Sequence, residues 1–156
     1  MSSSLSVGAV VIDASFAIAI SARETDRETK ATQEALRYSS LDYVFYTPCV
    51  LIAETLYVLC GKLQTGLLTQ TEYAQAITRF EALMANILPS PNGDAPLVRR
   101  AEAIRDSYGC SRSADGIYIA LAEALTASVP TVLLTFDTGM SSQAARNAPT
   151  VTVQTL

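Results

Sequence analysis

Two short apolar runs, each followed closely by an aspartate, are the sequence feature that most constrains how this chain can fold. The first run covers residues 7–12 and ends at Asp13, and the second covers residues 131–135 and precedes Asp137 by two positions. Both are rich in branched side chains and apolar almost throughout, which is typical of strands that are buried on both faces. Such strands belong to sheets covered by helices. The sequence therefore predicts an α/β fold with a central, mainly parallel sheet.

Helical periodicity, capping residues and turn signals place helices between these strands. Asp26, Thr69 (or Thr71) and Ser113 are the expected N-caps, and Gly61 and Gly109 lie near expected helix ends. The predicted helices begin near 14 and 141 and cover 26–38, 48–62, 69–85, 94–108 and 113–127, and further short strands are predicted at 43–46, 87–88 and 151–153. This alternation predicts a three-layer α/β/α sandwich. No linker or repeat interrupts it, so residues 1–156 are expected to form a single domain, with 1–6 as a frayed terminus.

The composition excludes several kinds of site. The chain has no histidine, which excludes Ser-His-Asp and Cys-His nucleophiles, histidine acid–base chemistry and histidine-ligated zinc. Cys49, Cys60 and Cys110 form no CxxC pair, so we expect reduced, mostly buried thiols rather than a zinc site or a disulfide scaffold.

The charge balance and the apolar segments constrain partners and location. With 11 basic and 15 acidic residues the net charge is −4, which argues against a broadly basic surface for nucleic acid. A net charge of −4 is still compatible with a nucleic-acid enzyme whose acidic residues cluster at a metal site. The N-terminal segment has no basic region, and the apolar stretch around Asp13 is too short to span a bilayer, so we expect a cytoplasmic protein.

Four carboxylates lie beside apolar runs, namely Asp13, Glu54, Asp115 and Asp137. A buried, unpaired charge is costly, and the two aspartates that follow strands belong at the same edge of a parallel sheet. Convergence of the four would favour a site for one or two Mg²⁺ or Mn²⁺ ions that hydrolyses a phosphate ester. Each aspartate also has a local alternative. Asp13 could cap the helix that follows it, Asp137 could be a turn residue, and Asp115 could interact favourably with the helix dipole. Glu54 is harder to explain locally because its predicted helix is apolar on nearly every side.

The ordered set of motifs around these acids resembles the PIN-domain family, and within it the VapC-type toxins of prokaryotic toxin–antitoxin pairs. The motifs are VIDAS at 11–15, PCVLIAE at 48–54, SADGIYIALAE at 113–123 and LTFD at 134–137. The resemblance runs from about residue 9 to 153. It implies a small α/β/α sandwich, a Mg²⁺- or Mn²⁺-dependent ribonuclease, a homodimer, and a small antitoxin that inserts a segment into the active-site groove. It assigns the metal-site and catalytic acids to Asp13, Glu54, Asp115 and Asp137.

Some neighbouring residues extend or depart from that pattern. Ser15 and Thr135 match positions that are commonly hydroxylic, and we expect them to donate hydrogen bonds to the metal-binding acids, although local backbone capping is an equal alternative. Thr138 and Gly139 stand where family members often carry a further acid or polar group. Arg112, three residues before Asp115, is the candidate for RNA binding.

The other basic and aromatic residues have mainly structural explanations. Arg99, Arg100 and Arg105 could contact phosphates, but a solvated helix face or pairing with Glu102 and Asp106 explains them better. Tyrosines such as Tyr118 are expected in the core or in an interface. The apolar faces of helices 48–62 and 69–85 could form a dimer surface, although core packing also explains them.

These features favour a metal-dependent endoribonuclease that acts as a toxin. One alternative is a degenerate PIN-like domain that binds RNA or protein without cleaving it. A weaker alternative is an aspartyl-phosphate phosphatase with Asp13 as nucleophile. That chemistry commonly uses a second acid two residues later, where this chain has Ser15.

Overall fold

The computed structural model describes residues 7–106 and 108–156. Its centre is a sheet of four parallel strands in the order β2-β1-β3-β4. The strands are β1 (Gly8–Ile12), β2 (Tyr43–Tyr46), β3 (Thr131–Thr135) and β4 (Thr152–Thr155). Every residue of β1 and β3 is buried, as their apolar composition predicts for the two inner strands. In the register of that pair, Ala9 lies opposite Thr131 and Ile12 lies opposite Leu134, so the two strands end side by side.

Seven α-helices in the described residues cover the sheet. They are α1 (Ala14–Ser21), α2 (Arg27–Ser40), α3 (Val50–Gln64), α4 (Gln70–Met84), α5 (Val98–Arg105), α6 (Ser113–Thr126) and α7 (Thr138–Asn147). Helices α2, α3 and α4 pack around α1, whereas α5, α6 and α7 pack against one another. This architecture confirms the predicted three-layer α/β/α fold. No helix in the described part of the chain is long and apolar enough to cross a membrane.

The buried core follows from the same pattern. It contains the inner strands together with large side chains from the helices of both layers, including Phe16, Leu51, Ile104, Tyr118 and Met140. Close contact between α5 and α6 depends on Gly116, where an added Cβ would lie 2.5 Å from the carbonyl oxygen of Ala101. Without a side chain at this position, the start of α6 can approach the backbone of α5. The residue before it, Asp115, is thereby held at the edge of the core.

Several helix boundaries differ from the predictions. Thr69 caps α4 in a complete capping box with Glu72, as its spacing predicts. Asp26 is the N-cap residue of α2, as predicted, but its φ is 66° and its side chain makes no capping hydrogen bond. Ser113 is the first residue of α6 rather than its cap, and its hydroxyl donates to the carbonyl of Cys110. Gly61 lies within α3 instead of ending it.

Other predicted elements are shorter, earlier or divided. The expected helix 94–108 is a 3₁₀ turn at Ala95–Leu97 followed by α5. The expected strand at 87–88 is a single bridge in which Leu88 pairs with Tyr46. The last helix begins at Thr138, three residues before the predicted start, because Asp137 caps it. The predicted frayed terminus at 1–6 lies outside the described residues.

The cysteines are free, as expected, but they are not mostly buried. Cys49 and Cys110 are exposed, and Cys60 is partly buried. The two exposed thiols lie in short connections before α3 and α6, where the chain is at the surface. The prediction of buried thiols is therefore wrong.

Candidate active site

Asp13 lies at the carboxyl end of β1, where it also caps α1. Its side chain is only 4% exposed. Its Oδ1 atom accepts hydrogen bonds from the Ser15 hydroxyl at 2.7 Å and from the Phe16 amide at 3.1 Å, and its Oδ2 atom accepts from Thr135. Burial raises the pKa of Asp13 to about 6, even though these three hydrogen bonds favour the ionised form. The fold therefore holds this carboxylate in place but compensates its charge incompletely.

Ser15 and Thr135 connect Asp13 to the end of β3. The Ser15 hydroxyl accepts from the Phe136 amide at 3.0 Å, and the Thr135 hydroxyl accepts from the Asp137 amide at 2.9 Å. Each hydroxyl thus donates to Asp13 and accepts from the backbone that follows β3. These are the contacts that we expect of side chains that orient an acid for a ligand. The same bonds fix the path of the chain into Asp137.

Asp115 and Asp137 meet at the guanidinium group of Arg112. Asp115 lies in the first turn of α6, and Asp137 caps α7 by accepting from the Gly139 amide at 2.8 Å. The Nη1 atom of Arg112 donates to Oδ2 of Asp115 at 3.0 Å and to Oδ2 of Asp137 at 2.6 Å. Burial raises the pKa of Asp115, and the Arg112 hydrogen bond opposes that rise. The local alternative for Asp137 is a turn residue, and the structure shows it as the cap of α7 that also contacts Arg112.

Glu54 enters the site from α3 and is held by a tyrosine. The Tyr118 hydroxyl donates to Oε1 of Glu54 at 2.5 Å, and burial together with this bond raises the pKa of Tyr118. The surroundings of Glu54 differ from the expectation of an apolar helix with no solvated side. One side of α3 is exposed, with Ile52 at 41% and Tyr57 at 82% of their full accessibility, and Glu54 itself is half-buried. Its place in the site comes from Tyr118 and not from a lack of solvent.

The four acids share one electrostatic environment centred on Asp115. The charges of Asp137 and Glu54 both raise the pKa of Asp115, and Asp115 in turn raises that of Asp13. Carboxylates that repel one another in this way are typical of a site for a divalent cation. Within residues 7–106 and 108–156, however, no three acidic or thiol side chains are arranged to hold a metal ion. Carboxylate oxygens are suitable ligands for Mg²⁺ or Mn²⁺. Those of Asp115 and Asp137, however, accept hydrogen bonds from Arg112.

The family of the chain follows from a comparison with family models. Residues 10–146 match the model of the PIN domain, and this segment includes all four acids. The chain belongs to the PIN-domain family. The family resemblance seen in the sequence motifs is thus confirmed. A comparison with curated protein sequences gave no match.

Solved structures share the fold of this PIN domain. A chain of VapBC2 from Rickettsia felis, crystallised with a DNA fragment from the promoter, has a TM-score of 0.60 at 10% identity, covering 95% of this chain and 98% of that one. PAE2754 from Pyrobaculum aerophilum has a TM-score of 0.53 at 16% identity, covering 88% and 80%. At such identities the likeness is one of fold.

Two contacts of the candidate site differ from what the sequence predicts. Tyr118 was expected in the core, and it is 1% exposed, but its hydroxyl reaches Glu54. The sequence does contain a signal for this contact. Tyr118 lies three residues after Asp115 on α6, and residues with this spacing lie on the same face of a helix. Arg112 was expected to contact RNA from the rim, yet its guanidinium lies between two of the acids.

Two other arginines of this region pair with acids outside the site, and Arg99 lies on the exposed surface of α5. Arg100 forms a bidentate salt bridge with Glu123, and Arg105 forms a salt bridge with Glu102. These contacts match the structural explanation of the basic group. Arg112 is thus the arginine of this group that contacts the candidate acids.

Proposed function

We propose that this PIN domain is a Mg²⁺- or Mn²⁺-dependent endoribonuclease and that it acts as the toxin of a VapC-type toxin–antitoxin pair. The observation that carries the proposal is the electrostatic coupling of Asp115 to each of the other three acids, Asp13, Glu54 and Asp137, in a chain that matches the PIN-domain model. The proposal treats residues 1–156 as one PIN-like domain and places the protein in the cytoplasm. RNA is the proposed substrate.

Each residue of the site has a proposed part in hydrolysis. Asp13, Asp115 and Asp137 would hold the ion, and Glu54 would bind or position the ion or its water. A bound divalent ion supplies charge stabilisation for the phosphodiester and lowers the pKa of water, so no protein nucleophile is required. This agrees with the absence of histidine from the chain.

The hydrogen bonds around the acids would set their orientation. Ser15 donates to one oxygen of Asp13 and Thr135 donates to the other, so the carboxylate is held in a single orientation. Tyr118 would orient Glu54 by donating a hydrogen bond to its Oε1 atom. Such preorganisation of a metal-binding acid improves affinity because less rotamer freedom is lost on binding.

The toxin assignment has support from the fold. The matched chain of VapBC2 from Rickettsia felis shares the fold over 98% of its own length and 95% of this chain. We therefore propose a small antitoxin as partner, with a segment that enters the active-site groove. We also propose a homodimer, for which the exposed apolar side of α3, formed by Ile52, Leu56 and Tyr57, is a suitable surface.

The test is cleavage of a mixed pool of structured RNA with Mg²⁺, with Mn²⁺ and with a chelator. We expect metal-dependent cleavage by the wild type and none by Asp13→Asn, which keeps the shape of the side chain but removes its charge. Asp42→Asn is the matched control, since Asp42 is exposed and belongs to the loop before β2. Cleavage by Asp13→Asn at the wild-type rate would contradict the assignment of the site.

A non-catalytic role is the second candidate, and the position of Arg112 favours it. An arginine that neutralises two of the four acids could hold the site closed to metal. Under this alternative, neither Mn²⁺ binding nor RNA cleavage would be measurable, while RNA or protein binding would remain. The phosphatase alternative gains no support, because Ser15 stands where that chemistry commonly uses a second acid, and its hydroxyl donates a hydrogen bond to Asp13.

A further inference from the structure

Arg112 lies in the place between two acids where a shared cation would be expected. One nitrogen atom, Nη1, contacts carboxylates from two different helices, Asp115 at the start of α6 and Asp137 before α7. The Arg112 side chain is 37% exposed, whereas that of Asp115 is 15% exposed. The ion pairs are therefore partly shielded from water, which makes them stronger than ion pairs at an open surface.

Gly139 provides the space for the guanidinium group. A Cβ added at Gly139 would lie 2.6 Å from Nη2 and 3.0 Å from Nη1 of Arg112, so the guanidinium would have to move. Gly139 lies in the first turn of α7, where glycine stabilises a helix less than alanine does. The missing side chain at this position is thus explained by the approach of Arg112.

We propose that Arg112 is an internal competitor of the divalent cation. In the metal-free protein it neutralises Asp115 and Asp137, and it must leave their oxygens before the cation can bind both. The inference rests on the proposed function, because it concerns the same metal site. Its physical basis is that the oxygen lone pairs facing Nη1 cannot serve the guanidinium and a metal ion together.

The direct test is Mn²⁺ affinity measured by isothermal titration calorimetry without RNA. Arg112→Gln should bind Mn²⁺ about tenfold more tightly or better, since two charge-assisted hydrogen bonds no longer have to be broken. Gly139→Ala should also bind more tightly, because the new methyl group moves the guanidinium away while the net charge stays the same. Arg99→Gln is the control for charge alone, as Arg99 is exposed on α5.

The pattern across the variants decides the proposal. Tighter binding in both Arg112→Gln and Gly139→Ala, with Arg99→Gln close to the wild type, supports competition. Tighter binding in Arg112→Gln alone would overturn it, because the loss of a positive charge would then explain the higher affinity without displacement of the guanidinium. If the wild type binds Mn²⁺ and neither variant binds more tightly, only this inference fails. If no variant and no wild-type protein binds Mn²⁺, the proposed function fails with it.

A stability measurement gives a second, independent readout. In chelator, Arg112→Gln should unfold at lower urea than the wild type, because Asp115 and Asp137 lose their counter-charge. In saturating Mn²⁺ the difference should shrink, since the guanidinium is displaced in the wild type as well. An equal loss of stability in both buffers would contradict displacement, because Arg112 would then remain on the acids in the metal-bound protein.

Discussion

Asp13→Asn should stabilise the metal-free protein at neutral pH while abolishing its proposed activity. The wild-type carboxyl has its pKa raised from 3.8 to about 6 by burial. Asparagine carries no charge to desolvate, and its Oδ1 can keep the hydrogen bonds from Ser15 and from the Phe16 amide. Its Nδ2 replaces the oxygen that accepts from Thr135, so this bond has to reverse, with Nδ2 donating to the Thr135 hydroxyl. Asparagine is also among the best residues for capping a helix, so α1 should keep its cap.

The size and the pH range of the effect follow from proton linkage. Between pH 4 and pH 6 the folded protein binds a proton at Asp13 that the unfolded chain has released, so the stabilising contribution of Asp13 is lost as the pH rises through this range. At about 1.4 kcal/mol for each pH unit, a rise from 3.8 to about 6 corresponds to about 3 kcal/mol at pH 7. Asparagine does not titrate, so it makes no such pH-dependent contribution to the free energy of unfolding. The variant should therefore gain on the wild type by up to about 3 kcal/mol between pH 4 and pH 7.

The assay is urea denaturation in chelator at pH 4, 5, 6 and 7, followed by circular dichroism. The measured quantity is the difference in unfolding free energy between variant and wild type, because other titrating groups largely cancel in that difference. Asp42→Asn is again the control, because it makes the same substitution at an exposed position outside the site. A constant difference for Asp13→Asn, or one that falls as the pH rises, would refute the reasoning about Asp13.

Two further predictions concern how helix α6 holds the site. Tyr118→Phe should weaken Mn²⁺ binding by roughly tenfold, because Glu54 loses a hydrogen bond to its charged group; calorimetry with the metal measures this. Gly116→Ala should destabilise the protein by about 1–3 kcal/mol in urea denaturation, since its methyl group would meet the carbonyl oxygen of Ala101.

Each of these predictions has a matched control in the chain. Tyr57→Phe removes a hydroxyl group from an exposed tyrosine of α3 and should leave the Mn²⁺ affinity unchanged. Gly61→Ala adds a methyl group within α3 where no atom lies within 4 Å, and should stabilise the protein by up to about 1 kcal/mol. Equal affinities for Tyr118→Phe and the wild type, or a stable Gly116→Ala protein, would contradict the respective argument.

The parts of the fold that depend on local chemistry could be predicted from the sequence. The buried runs that become β1 and β3 lack polar positions, so few structures other than a covered parallel sheet can bury them. The cap at Thr69 requires only Thr69 and Glu72, which lie three residues apart. Asp13 and Asp137 could be placed at one sheet edge because each closely follows an inner strand.

The parts that depend on side chains meeting from distant segments could not be predicted. Arg112 and Asp137 are 25 residues apart, and only the packing of α6 beside α7 shows that one guanidinium contacts both Asp115 and Asp137. The expected cap at Ser113 fails for a related reason. The 3₁₀ turn before α6 gives its hydroxyl another acceptor, the carbonyl of Cys110. Local propensity does not include such competing partners.

The charge at this site connects stability with function. Asp13 and Asp115 both carry raised pKa values, so the folded, metal-free protein holds negative charge at a free-energy cost that Ser15, Thr135 and Arg112 only reduce. A cation that binds only the folded state would offset that cost by about 2.7 kcal/mol at a concentration of one hundred times its dissociation constant. The residues that weaken the metal-free fold are therefore those that would make it respond to a divalent cation. Replacing them with neutral side chains should produce a more stable protein with a weaker metal site.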